Sequence, residues 1–140
     1  MKRLILSVLI GALAVFLLIQ LVPYGRQHTN PPVIQDPNWG TPEARQLAQR
    51  ACYDCHSNET VWPWYSNIAP ISWLIAHDVD EGRQVLNFSD WTGSSRSGEG
   101  RGEIPEVIQE NQMPPPYYVL LHPTARLTSQ EKQTLIAGIP

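Results

Sequence analysis

The sequence predicts a small all-α protein behind an apolar N-terminal helix, and three observations carry that expectation. Thirteen prolines and nine glycines among 140 residues cut the chain into short segments joined by fixed loops, which suits helices better than a sheet. Helix-start signals recur at Thr41-Pro42-Glu43, at Pro70 and at Thr128 with Glu131, each ahead of apolar residues at helical spacing. The run from Leu4 to Val22 is apolar apart from Ser7, Gly11 and Gln20. Its nineteen residues, at about 1.5 Å each, make roughly 28 Å of helix, close to the ~30 Å hydrocarbon core of a bilayer.

Residues 1–23 are therefore expected to be a membrane anchor, ended by Pro23. Ala12-Leu13-Ala14 has the look of a signal cleavage site, but cutting there would leave the apolar stretch Val15 to Val22 at the new terminus. Lys2 and Arg3 precede the span, and Arg26 is the one basic residue soon after it. That asymmetry places the remainder outside the cytoplasm, on the periplasmic side of the inner membrane. Residues 24–40 contain Pro31, Pro32 and Pro37 and few apolar side chains, and are expected to form an extended tether. Residues 41–140 form the domain.

Within the domain, Thr41 caps a helix that starts at Pro42, buries Ala44, Leu47, Ala48 and Ala51, and leads into Cys52. Pro70 opens a second helix with Ile71, Leu74, Ile75 and Val79 on one face and Gly82 as its stop. Thr92 to Gly102 holds four glycines and is expected to be a surface loop, with Arg96 and Arg101 on it. Ile104, Val107 and Ile108 set a third helix with Pro105 in its first turn, running into Met113-Pro114-Pro115-Pro116. The capping box of Thr128 and Glu131 opens a last helix that buries Leu135 and Ile136.

Cys52-Tyr53-Asp54-Cys55-His56 contains the only two cysteines of the chain. C-x-x-C-H is the attachment pattern of a c-type haem: two thiols spaced for two vinyl groups, and a histidine placed to reach the iron. A zinc site would need about four ligands, and no second pair completes one. A thioredoxin-type pair belongs beside a strand-helix unit, which is lacking here. Outside the cytoplasm two nearby thiols would oxidise to a disulfide unless another reaction consumed them, as haem attachment does; a plain structural disulfide is the alternative reading. One haem c bound covalently through Cys52 and Cys55, with His56 on the iron, is the expected cofactor.

Apart from the initiator, Met113 is the only methionine, and thioether sulfur is the usual partner to histidine in electron-transfer cytochromes c. Three prolines follow it and stiffen the loop. His122, ahead of Pro123, and His77, on the second helix, are the rival ligands. Trp62, Trp64 and Tyr65, in Trp62-Pro63-Trp64-Tyr65, suit an aromatic wall against a flat apolar ligand, or simply the closing of a small core. The net charge of -3 is interspersed, and no basic stripe points to nucleic acid.

Taken together, these residues resemble the bacterial haem-binding domain proteins, a small membrane-anchored family related in layout to monohaem cytochromes c. The resemblance runs through Cys52 to Asn58, Trp62 to Ser66, Ile68 to Leu74, Asp78-Val79, Gly82-Arg83, Leu86 to Trp91, Met113-Pro114, Tyr117, His122-Pro123, and Leu127 with Glu131. It implies a cytochrome c-like helical domain wrapped around one haem, attached at Cys52 and Cys55 and ligated by His56 and Met113. The function expected is single-electron transfer between redox partner proteins, by a carrier rather than an enzyme. The alternatives are a redox or gas sensor in which Met113 is displaced, and a peroxidase-type haem enzyme.

Overall fold

In the computed structural model, which describes residues 1–92 and 100–140, caps and apolar spacing turn into helices much as the sequence suggests. In order these are α1 (Lys2–Ile19), α2 (Pro42–Ala51), α3 (Tyr53–His56), α4 (Ile71–Val85), α5 (Ile104–Gln109), α6 (Pro116–Leu121) and α7 (Ser129–Gly138). Short 3-10 turns occupy Trp64–Asn67 and Pro123–Ala125. The protein is all-α: among the described residues there is no strand, only an isolated parallel bridge between Gln35 and Asp90. Most of the glycine-rich stretch expected as a surface loop, Arg96 included, lies outside the described residues. Contacts divide the chain into two compact units, one of Met1–Thr29 with Trp62–Asp78 and one of Asn30–Val61 with Val79–Pro140. The stretch read as a tether is thus shared, 24–29 going to the first unit and 30–40 to the second.

In the first unit α1 has a mean hydropathy of 2.3 and none of its length is buried; it is long and apolar enough to cross a membrane. The helix ends at Ile19, four residues before Pro23, and the chain then folds back on residues 66–72. The Gln20 amide pairs with both sides of Ala69, donating to its carbonyl at 2.8 Å and accepting from its N–H at 3.0 Å. Gly25 has φ 78° and lies so close to the Ser72 carbonyl that a Cβ would overlap it, so only glycine fits. His28 stacks on Trp62 with ring centroids 4.6 Å apart, and its Nε2 lies 3.2 Å from the Ser66 carbonyl. On α4, Ile71 and Leu74 share a helix face as expected, and they are 40% and 47% exposed.

The second unit is built around Phe88, which is fully buried and stacks on Tyr53 and Trp91 with Trp39 tilted against it, at centroid distances of 5.4, 5.7 and 5.4 Å. Burying such a ring stabilises the fold by about 1.5–3 kcal/mol. Leu47, Ala48, Ala51, Leu86, Ile104, Ile108, Leu127 and Leu135 complete the core. Residues 30–40 run along this unit instead of standing free. The Ile34 and Gln35 N–H groups donate to the Ser89 carbonyl, Trp91 N–H donates to Gln35, and Asp36 accepts from both Arg45 and Tyr53.

α2 starts as its sequence demands, with the Thr41 hydroxyl accepting from Ala44 N–H at 3.1 Å and Pro42 in the first turn. It packs on α7, where Gly138 leaves room for Ala44; a side chain on Gly138 would overlap the Ala44 methyl. α7 opens with the expected capping box. Thr128 N–H donates to the Glu131 carboxylate at 2.8 Å, and that carboxylate also accepts from Arg50 of α2 at 2.7 Å.

The Thr128 N–H first, and Arg50 second, hold the Glu131 carboxyl down from 4.5 to about 2. Because the folded value lies below the unfolded one, the charge stabilises the fold fully above about pH 4.5 and ceases to do so as the pH falls through about 2. Glu131→Gln keeps the shape of the cap but not its charge. Its melting temperature is expected to lie below that of the wild type at neutral pH and to converge with it as the solution is acidified towards pH 2. A gap independent of pH would show that the charge contributes nothing.

Candidate functional site

The site begins where α2 ends. Cys52 closes that helix with φ -127° and ψ -34°, and its carbonyl accepts from the N–H groups of Cys55 and His56 at 3.2 and 2.9 Å. The result is the single turn α3, which brings Cys52 and Cys55 to neighbouring positions on one side, three residues apart. Tyr53 is driven the other way. Its ring is buried on Phe88, its hydroxyl donates to Asp36 at 3.0 Å, and its carbonyl accepts from Ser57 Oγ at 2.7 Å. The two cysteines are not joined in a disulfide, and both are half-buried. Burial, and secondarily the neighbouring Cys55, pushes the Cys52 thiol up to about 12, so it keeps its proton at neutral pH.

His56 is oriented by the last turn of α4. Its Nδ1 lies 3.0 Å from the Gly82 carbonyl and 3.1 Å from the Leu86 carbonyl. Carbonyls only accept, so Nδ1 carries the hydrogen and Nε2 keeps its lone pair, which is the tautomer an iron-ligating imidazole needs. Burial lowers the imidazole pKa, against the opposing pull of the two carbonyls, and favours the neutral ring.

Gly82 was expected to stop α4, yet the helix continues past it to Val85. The glycine is required for another reason: a Cβ there would meet the Cys55 carbonyl oxygen at 2.6 Å. Next to it, Arg83 Nε donates to the Ser57 carbonyl at 2.8 Å, and its Nη2 reaches Thr60 Oγ1 and Asn30 Oδ1 at 2.9 and 3.0 Å. Phe88 N–H donates to the His56 carbonyl at 2.8 Å, and Ser89 Oγ accepts from Asn58 N–H at 2.9 Å. Gly82, Arg83 and Phe88 to Ser89 thus form the brace of the C-x-x-C-H turn.

Met113 reaches the site from α5. Asn111 adopts φ 61°, the left-handed conformation that ends many helices, and Gln112 and Met113 both donate their N–H to the Val107 carbonyl, at 2.9 and 3.0 Å. After the prolines, Tyr118 of α6 donates to Asp54 Oδ2 at 2.6 Å, while Asp54 Oδ1 accepts from Val61 N–H at 3.0 Å. The residue between the two cysteines thereby ties the Met113 segment to the C-x-x-C-H turn.

One cavity takes Cys52, His56 and Met113 together into its lining, with Val85, Leu86 and Phe88 on one side and Ile104, Val107 and Ile108 on another. Gly100 also borders it, and a Cβ on Gly100 would meet the Val85 carbonyl oxygen at 2.7 Å. Cys55 stands one turn from Cys52 but outside the lining. His122, tilted against Tyr118 with ring centroids 4.2 Å apart, and the exposed His77 do not line it. Trp62, Trp64 and Tyr65 belong to the first unit, where Tyr65 packs edge-on to Trp64. Arg101 covers the Trp91 ring at 3.9 Å.

Sequence reasoning missed the walls from Val85 to Phe88 and the brace at Gly82 and Arg83, because both act through tertiary packing. Asn111 carried a readable signal, an asparagine one residue past a helix end. Among the described residues no group of three or more His, Cys, Asp or Glu is placed to hold a metal ion. The donors are instead an imidazole with its lone pair set, a thioether and two thiols beside apolar walls. That set fits an iron macrocycle better than a bare ion.

Comparison with known proteins agrees with this chemistry. No curated protein and no solved structure matches the chain. The model of the haem-binding domain matches residues 14–140, which takes in every residue of the cavity, and the chain belongs to the haem-binding domain family.

Proposed function

We propose that the protein is a membrane-anchored monohaem c-type electron carrier, with α1 spanning the cytoplasmic membrane and the haem domain on its outer face. The observation that carries this reading is the meeting of Cys52, His56 and Met113 at one apolar cavity, with His56 Nδ1 committed to two carbonyls. On this reading the thiols of Cys52 and Cys55 would hold the haem through its two vinyl groups, each S–H adding across one double bond so that no oxidant or leaving group is needed. When bound, the iron supplies a single-electron couple.

The chain's own residues set the conditions for that couple. His56 would hold the iron through Nε2, while the Gly82 and Leu86 carbonyls fix the ring and increase its basicity. Met113 would offer its thioether, a ligand that favours the reduced iron and raises the potential. Val85, Leu86, Phe88, Ile104, Val107 and Ile108 line the cavity with apolar surface, and the low local dielectric would act in the same direction. A site whose iron ligands all come from within the chain would suit electron transfer between partner proteins and disfavour turnover of a substrate. The charge bias of Lys2 and Arg3 supports the orientation.

Replacing both thiols, Cys52→Ala with Cys55→Ala, is expected to abolish the haem stain that survives a denaturing gel; a stain that persists would rule out thioether attachment. Met113→Ala is expected to lower the reduction potential on the order of 100 mV, a fraction of the ~0.8 V that axial ligation covers. An unchanged potential and spectrum would exclude Met113 as ligand. Tyr118→Phe removes the bond to Asp54 and should cost about 1.5 kcal/mol. It should also move the potential in the direction of Met113→Ala by a smaller amount; stability lost with the potential intact would mean that the bond holds the fold but not the sulfur.

A further inference from the structure

The first unit joins the end of the apolar helix to a stretch of unusual composition. From Trp62 to Ala76, fifteen residues carry no charged side chain, and they include Trp62, Trp64, Tyr65, Ile71, Trp73, Leu74 and Ile75. Such a segment would ordinarily be buried. Here Trp64 is 76% exposed, with Ile71 at 40% and Leu74 at 47%. Ile71 and Leu74 lie three residues apart and share a face of α4. The same helix changes character along its axis: apolar residues fill its first turns, and Asp78, Asp80, Glu81 and Arg83 follow.

The apolar end of α4 is also the end fastened to the exit of α1. The side-chain amide of Gln20, the residue closing α1, bonds to both the carbonyl and the N–H of Ala69, two residues before α4 begins. Tyr24 accepts from Ser72 Oγ at 3.4 Å, and Gly25 abuts the Ser72 carbonyl. Ile71 and Leu74 are therefore held within about one helical turn, roughly 5 Å of rise, of groups bonded to the first residues beyond the span. At that depth a bilayer offers its headgroup–acyl boundary, where tryptophan and tyrosine are enriched because an apolar ring and a polar edge meet apolar and wet surroundings together.

We propose that Trp64, Ile71 and Leu74 form a membrane-docking face that rests in the lipid interface beside α1, so that residues 62–76 are a second, monotopic contact with the bilayer. The proposal rests on the reading of α1 as a membrane span. It also assigns a role to Trp62-Pro63-Trp64-Tyr65 that haem packing does not supply.

The test uses the full chain in phosphatidylcholine vesicles, with and without lipid brominated on the acyl carbons nearest the headgroup. Flotation with the vesicles reports on α1, and a chain that fails to float would overturn the span and this proposal with it. If the chain floats, brominated lipid is expected to quench tryptophan emission, and Trp64→Phe to lose about half of that quenching, as befits the exposed interfacial indole. Ile71→Glu with Leu74→Glu, both at exposed positions, should reduce quenching at Trp64 while flotation persists. Flotation with quenching unchanged in both variants would leave the span standing and refute the docking face.

Discussion

The bonds from His56 Nδ1 to the carbonyls of Gly82 and Leu86 are the constraint on which the second unit turns. The last turn of an α-helix leaves carbonyls short of donors and carries the negative end of the helix dipole. A histidine that is to bind through Nε2 needs its Nδ1 hydrogen held by an acceptor. The C-x-x-C-H turn lies directly against the helix end, so that the Gly82 carbonyl, which already accepts from Leu86 N–H, takes the His56 imidazole as a second donor. Gly82 permits that approach, Arg83 locks the chain after it, and Phe88 N–H closes the far side by donating to the His56 carbonyl. Tertiary structure here serves to fix one tautomer in one place.

The thioether side of the cavity is positioned by a different device. Met113 stands on the irregular backbone just past α5, where Val107 accepts two N–H bonds and Asn111 takes the left-handed turn. The bond from Tyr118 to Asp54 then joins the stretch after Met113 to the turn that bears His56. The two sides of the cavity are held by separate elements, and the Asp54 carboxylate is one link between them.

Much of this was legible in the sequence because it is local. The helix starts at Thr41 and Thr128, the α5 spacing and the C-x-x-C-H pattern all depend on neighbours a few residues apart, and each appears where expected. Gly82 was misread because a glycine near the end of a helical pattern has two causes, a stop or a close approach, and only the partner strand of chain distinguishes them. The exposure of Ile71 and Leu74 was not legible, because helical spacing reports a shared face without saying what covers it. The segment 30–40 looked like a tether since its attachments, from Ile34 and Gln35 N–H to Ser89 and from Asp36 to Arg45 and Tyr53, use backbone groups and one carboxylate, which leave no apolar period to detect.

Gly82 has a bearing on how the chain tolerates change. The spacing between α4 and the C-x-x-C-H turn is set by a missing atom, since the Cys55 carbonyl oxygen lies 2.6 Å from where a Cβ would stand. Cys55 N–H is bonded to the Cys52 carbonyl, so any side chain at position 82 that pushed Cys55 aside would also alter the separation of the two sulfurs. A position remote in sequence and without a side chain of its own therefore acts as a gauge for the thiol pair.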